Sequence, residues 1–211
     1  MDCPLVRTTL FLSLLATLGC QTAFPRPLDG SVHSTVLPSL QVPLTVERLA
    51  ILYPKTYNRE LMDAYAQLAG AAFQFKAARP WMHIVERFDL PVIHSEQRFQ
   101  LSGAVSDETA IKVGHLLGVD SILLYRIDGP TVRDRVFARM YGGMPPYTVT
   151  SKVIRVESAE VVYHNIVTAP VTPRNEYQSN FFNNLQGDPP FRTALGQGIA
   201  KTLADLQEAF R

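Results

Sequence analysis

The residues of this chain that could do chemistry beyond packing are five histidines, two cysteines and a few carboxylates set beside arginines. His33, His83, His94, His115 and His164 stand singly. No His-Glu-x-x-His or His-x-His spacing puts two imidazoles on one metal ion, so each reads as a surface or hydrogen-bonded core residue. Glu86-Arg87 is followed by Glu96-Gln97, and two such carboxylates could act as general acid and base. An ion pair in which Arg87 closes a strand-to-helix connection is the simpler reading. A Gly-x-Ser-x-Gly turn to expose a hydrolase serine is absent, as is a Walker-type phosphate loop. Gly196-Gln197-Gly198 lacks both the preceding strand and the third glycine of a dinucleotide loop, which leaves helix packing as its role. Arg133, Asp134, Arg135 and Arg139 read as the solvated face of a strand. The expectation is a protein with no catalytic residues, no metal and no cofactor.

The cysteines are more telling. Residues 10–18 form an apolar run after Arg7 and end at Gly19-Cys20. A membrane-spanning helix needs about 20 apolar residues, so this run fits the core of a secretion signal instead. Leu18-Gly19-Cys20 resembles a bacterial lipoprotein cleavage box, with Thr17 where such boxes usually carry Leu. That resemblance implies a signal peptide at 1–19 and lipidation of Cys20. Cys3 would leave with the signal, so the mature domain would contain no thiol for a disulfide, a zinc site or a nucleophile. Each buried acyl methylene contributes about 0.8 kcal/mol, enough for several chains on Cys20 to hold the protein on a membrane.

The elements that must position everything else come next. Residues 20–45 carry Pro25, Pro27, Pro38 and Pro43 without helical or strand period and read as a tether. The apolar run 47–53, closed by Pro54, suits a buried strand. Leu61, Tyr65, Leu68, Ala72 and Phe73 recur at helical spacing behind a cap at Asn58. A second strand is expected at 81–85, and a short helix from Asp89 carrying Val92, Ile93 and Glu96. A third helix should run from Ser106 to Gly118, with Gly114 allowing close packing, and lead into a buried strand at 121–127. Residues 131–141 are expected as a strand, 147–156 and 160–168 as a hairpin, 173–190 as a long loop, and a final helix from Asp188-Pro189-Pro190. The expected fold class is α/β, a mixed β-sheet flanked by helices over residues 46–211.

Composition agrees with one ordinary folded domain: 46% of the 211 residues are hydrophobic and 18% charged. The formal net charge of +1 gives no bulk electrostatic case for nucleic acid.

Several motifs carry a family resemblance. Val85-Glu86-Arg87, Leu101-Ser102-Gly103, the run from Lys112 through Gly114 and Gly118 to Asp120, Ile122-Leu123-Leu124, and the pair Lys152-Val153-Ile154-Arg155-Val156 with Glu160-Val161-Val162 resemble the CsgG-like group of outer-membrane lipoproteins. The matches span about residues 47–168. Ala159 stands where the group usually has a turn glycine, and Tyr125-Arg126 replaces its small Gly-Ser pair. Channel-forming members insert two membrane hairpins, and each membrane strand takes about 9 to 11 alternating residues. Residues 131–150 are short for this and carry Arg133, Arg135 and Arg139, so the resemblance implies the periplasmic domain more than the pore.

The functional expectation is a lipid-anchored module on the periplasmic side of the outer membrane, serving as an accessory component of a secretion or envelope-assembly system. Gln21 after the cysteine, where Asp would retain a lipoprotein at the inner membrane, favours the outer one. Expected partners are the membrane, through the lipid, and envelope or secretion-system proteins. A homo-oligomeric secretion channel is the alternative, and an envelope hydrolase using Glu86 and Glu96 the third reading. Met140, Tyr141, Tyr147, Tyr177, Phe181 and Phe182 are the candidate partner contacts, being large apolar side chains in stretches rich in Gly, Pro or Asn.

Overall fold

A computed structural model of the chain describes residues 31–34, 41–85, 106–131, 133–135, 137, 143–172 and 189–211. The apolar run after residue 47 becomes β2 (Arg48–Leu52), buried from Leu49 onward. Strand β1 (His33–Ser34) precedes it. Helix α1 (Arg59–Ala72) begins where Asn58 Oδ1 accepts from the backbone N–H groups of Glu60 and Leu61 at 2.9 and 3.4 Å. Its buried stripe is Ala64, Tyr65, Leu68, Ala69 and Ala72. A short α2 (Phe75–Ala78) turns the chain into β3 (His83–Val85). The helix expected from Asp89, with Glu86, Arg87 and Glu96, lies outside the described residues.

Helix α3 (Asp107–Leu117) has the expected ends: Ser106 Oγ accepts from Thr109 N–H at 3.2 Å, and Gly118 closes it at φ 60°. A Cβ on Gly114 would come within 2.5 Å of Val156 and 2.7 Å of Ile122, so only glycine lets this helix lie so close to the sheet. Strands β4 (Ser121–Asp128), β5 (Tyr147–Arg155) and β6 (Val161–Ala169) follow, and helix α4 (Pro189–Ala209) ends the fold. The β5–β6 turn holds Ala159 at φ 57°, a left-handed position that glycine would occupy with less strain.

The sheet order is β1-β6-β5-β4-β2-β3. Strand β2 lies parallel to β3 and β4, whereas β4–β5, β5–β6 and β1–β6 are antiparallel. This is the expected mixed α/β sheet. Helices α1, α2 and α4 cover one face over Leu49, Ile51, Leu123, Tyr125, Val149, Val153 and Val167. On the other face α3 covers Ala50, Leu52, Ile122, Leu124 and Ile154. Beyond α3 that face presents half-buried Thr148, Thr150, Lys152, His164 and Thr168.

Two expectations are corrected. Within the stretch expected as a strand at 131–141, the described residues Arg133–Arg135 and Phe137 are helical. The cause is local: Thr131 N–H and Oγ1 donate to Asp134 Oδ2 at 2.8 and 2.7 Å, and Asp134 N–H donates to Thr131 Oγ1 at 3.2 Å, a reciprocal helix cap. The C-terminal part of the expected tether also belongs to the domain. Val42 is buried and its N–H donates to Ala209 O at 3.0 Å. Arg79, 1% exposed, donates to Val42 O at 2.6 Å and Pro43 O at 2.8 Å and lies over the Phe210 ring. Burial lowers its pKa below the usual arginine value.

Candidate functional site

Strands β2, β4 and β6 finish at one end of the sheet, where β5 begins; this is the groove end. The groove, about 1090 Å³, is lined by Tyr57, Arg59 and Glu60 at the start of α1, Pro130 and Arg135 after β4, and Arg192 in the first turns of α4. Arg135 lies 4.1 Å over the Phe191 ring. Below it the Tyr147 ring fills the space a Cβ on Gly129 would need, at 2.3 Å. Burial, then the nearby Glu60, push the Tyr147 hydroxyl above its ordinary pKa, with Arg135 opposing them. Glu60 Oε1 and Arg135 Nε are buried without a hydrogen-bond partner. Gly196 on α4 leaves its wall open, with nothing near its absent side chain. Chemically this groove offers guanidinium groups, a carboxylate and aromatic edges. Such a set can hold an anionic or aromatic group.

A smaller pocket of about 260 Å³ lies on the other face beside the first turn of α3. Lys152 Nζ donates to both Asp107 oxygens, at 2.9 and 3.3 Å, and Arg126 pairs with Asp128 at 2.8 Å. His164, opposite Lys152 in register, is held below its ordinary pKa by burial and then by Lys152. The charges here are matched internally, so an ionic ligand would have to break a pair.

Among the described residues no three His, Cys, Asp or Glu side chains come together to hold a metal. Cys20, Met140, Tyr141, Tyr177, Phe181 and Phe182 lie outside the described residues. Tyr147 is corrected from a contact residue to a core one, at 2% exposure. Sequence reasoning missed Arg135 and Tyr57: the strand reading put Arg135 on a solvated face, and Tyr57 follows a proline-closed strand with no pattern to mark it. The Thr131-x-x-Asp134 spacing was the available signal for Arg135, since it matches a helix cap.

No family model matches the chain and no curated protein does. The CsgG-like resemblance therefore rests on its short motifs. Solved structures similar to the chain include a PelC variant dodecamer from Paraburkholderia phytofirmans, 17% identical, covering 84% of this chain and 98% of that one at a TM-score of 0.42. A second PelC dodecamer from the same organism is 16% identical over 84% and 96%, at 0.41. Lipoprotein GNA1162 from Neisseria meningitidis is 10% identical over 75% and 99%, at 0.36.

Proposed function

We propose that the protein is a lipid-anchored binding module on the periplasmic side of a bacterial outer membrane, an accessory component of secretion or envelope assembly. The observation that carries this reading is the apolar run 10–18 ending at Gly19-Cys20, ahead of a domain with a groove lined by arginines, a carboxylate and an exposed tyrosine. A groove of this size with arginines at its rim suits a polypeptide segment or a neighbouring protein better than a small substrate.

The channel reading has less to draw on. Residues 147–150 are committed to β5, and the described residues from 133 to 137 are helical, so the first stretch that could have formed a membrane hairpin is largely spoken for. The hydrolase reading has no geometry, because Glu86 and Glu96 lie outside the described residues. Cross-linked envelopes carrying a tagged copy test the proposal. Recovery of envelope or secretion-system proteins that depends on Arg135 and Arg192 supports it. Recovery unchanged by Arg135→Glu with Arg192→Glu, in a protein that stays folded, removes the groove from it.

A further inference from the structure

The short strand β1 fixes the end of the sheet at which the preceding chain leaves the domain. His33 pairs with Thr168 and Ser34 with Val167, antiparallel to β6. Val32 packs against the core. Going backward along the chain from Ser31, the polypeptide therefore leaves at the end where β6 finishes, the groove end. Only residues 21–30 separate Ser31 from Cys20. Fully extended, that stretch reaches about 40 Å, and as a flexible chain it averages about 20 Å. The sheet measures about 30 Å along the nine residues of β6 at ~3.4 Å each. Bringing the opposite end to the bilayer would stretch the link nearly taut along the whole domain. Bringing the groove end there requires no stretching.

The groove end is also chemically suited to a lipid surface. Two exposed cation–aromatic pairs project from it: Lys55 Nζ lies 5.6 Å from the Tyr57 ring centre, and Arg133 lies 5.2 Å from that of Phe137. Tyr57 is 82% exposed and Phe137 43%. Tyrosine and phenylalanine beside a lysine or arginine match the boundary where phosphate meets hydrocarbon. Of the nearby carboxylates, Asp134 is engaged by Thr131 and Asp128 by Arg126, while Glu60 and Asp63 line the groove. Among the described residues, neither Lys55 nor Arg133 forms a salt bridge. The opposite end also exposes apolar side chains, Leu44, Trp81 and Phe73, but among the described residues no cation is stacked on them.

We infer that the groove end docks on anionic phospholipid headgroups, with the Lys55–Tyr57 and Arg133–Phe137 pairs as its contacts, so that Cys20 and the protein surface hold the membrane jointly. This rests on the proposed lipidation of Cys20. Trp81, the only tryptophan, sits at the opposite end just before β3 and serves as an internal reporter. The test places the acylated full-length protein in phosphatidylcholine–phosphatidylglycerol vesicles containing brominated acyl chains, which quench tryptophan within the bilayer. Trp81 emission should be unaffected. Tyr57→Trp in a Trp81→Phe background should lose most of its emission, and Phe137→Trp in the same background is the second probe should the first fail to fold. Adding Lys55→Glu and Arg133→Glu should restore that emission, as should vesicles of phosphatidylcholine alone. Quenching of Trp81, no quenching at position 57 or 137, or quenching indifferent to charge would each overturn the inference. The mass of the N-terminal fragment separates the two failures: an acylated Cys20 without quenching removes only the docking, and an unmodified Cys20 removes both.

Discussion

The two ends of the sheet are finished in opposite ways. At the end where β2 and β4 begin, the chain is drawn inward: Val42 and Val46 are buried, Phe75 stacks on Phe210 with ring centres 4.7 Å apart, and Arg79 is buried to hold the backbone of Val42 and Pro43. Asp120 adds to this closure, accepting from the N–H groups of Glu47 and Arg48 at 2.9 and 2.7 Å. At the groove end arginines line an open groove, and the rings of Tyr57 and Phe137 are exposed beside cations. Buried arginine at one end is spent on the chain's own carbonyls; exposed arginine at the other is available to something else. Under the proposed function one end contributes stability and the other recognition, and the mutations that test them should fall on different observables.

The largest effect is expected where the two ends share a core. Leu123 is 0% exposed at the middle of β4, and Leu123→Asp should cost several kcal/mol, a large part of a typical stability of about 5 to 15. Thermal unfolding unchanged by that substitution would mean the two ends do not depend on this strand. Next comes the closed end. Arg79→Ala removes two charge-assisted hydrogen bonds and leaves a cavity, and should cost about 2 to 4 kcal/mol while opening residues 41–45 to protease. At the groove end, Tyr57→Ala with Phe137→Ala should move stability by no more than about 0.5 kcal/mol yet reduce association with partner or membrane in cross-linking. A large stability loss there would make those rings part of the core and erase the contrast between the ends.

The smallest effect is a pH dependence on the open sheet face. His164 has its folded pKa depressed below 6.5 by burial and by Lys152. The folded state therefore holds the imidazole neutral, and the unfolded chain takes up the proton first. The stability this group contributes is present above its unfolded pKa and is lost as pH falls through about 6.5 toward the folded value. His164→Gln should flatten that stretch of a melting-temperature profile and leave the profile above pH 7 as in wild type.

Much of the framework was legible in the sequence because it is determined locally. Asn58, Ser106 and Gly118 act within three residues of themselves, and each ends its helix as its type predicts. The β5–β6 hairpin and the buried strands follow from their apolar runs. What could not be read depends on distant pairing. Strand β1 is two residues long in a stretch rich in proline, below any detectable period, and exists because β6 offers an unpaired edge. Arg79 is an ordinary lysine-or-arginine position until the fold brings Val42 and Phe210 around it. Tyr147 opens the strand expected at 147–156 and reads as a contact only through its neighbours Pro145-Pro146, although it shares the alternation of Val149, Ser151 and Val153 and so has to face the core. Of the expected contact residues, Tyr147 alone is described, and it faces inward. Of the groove residues, Arg135 is hidden by the strand reading of 131–141, and Tyr57 by its place in a short connection without a period.

The role proposed for the open end depends on a membrane tie through Cys20. The most direct measurement labels cells expressing wild type and Cys20→Ala with palmitate and separates their envelopes from soluble fractions. Wild type should carry label and sediment with outer membrane. Cys20→Ala should lose the label and appear as an uncleaved precursor or in the soluble fraction. If the variant labels and fractionates as wild type does, the anchor is elsewhere and the account of a lipid-tied module is wrong.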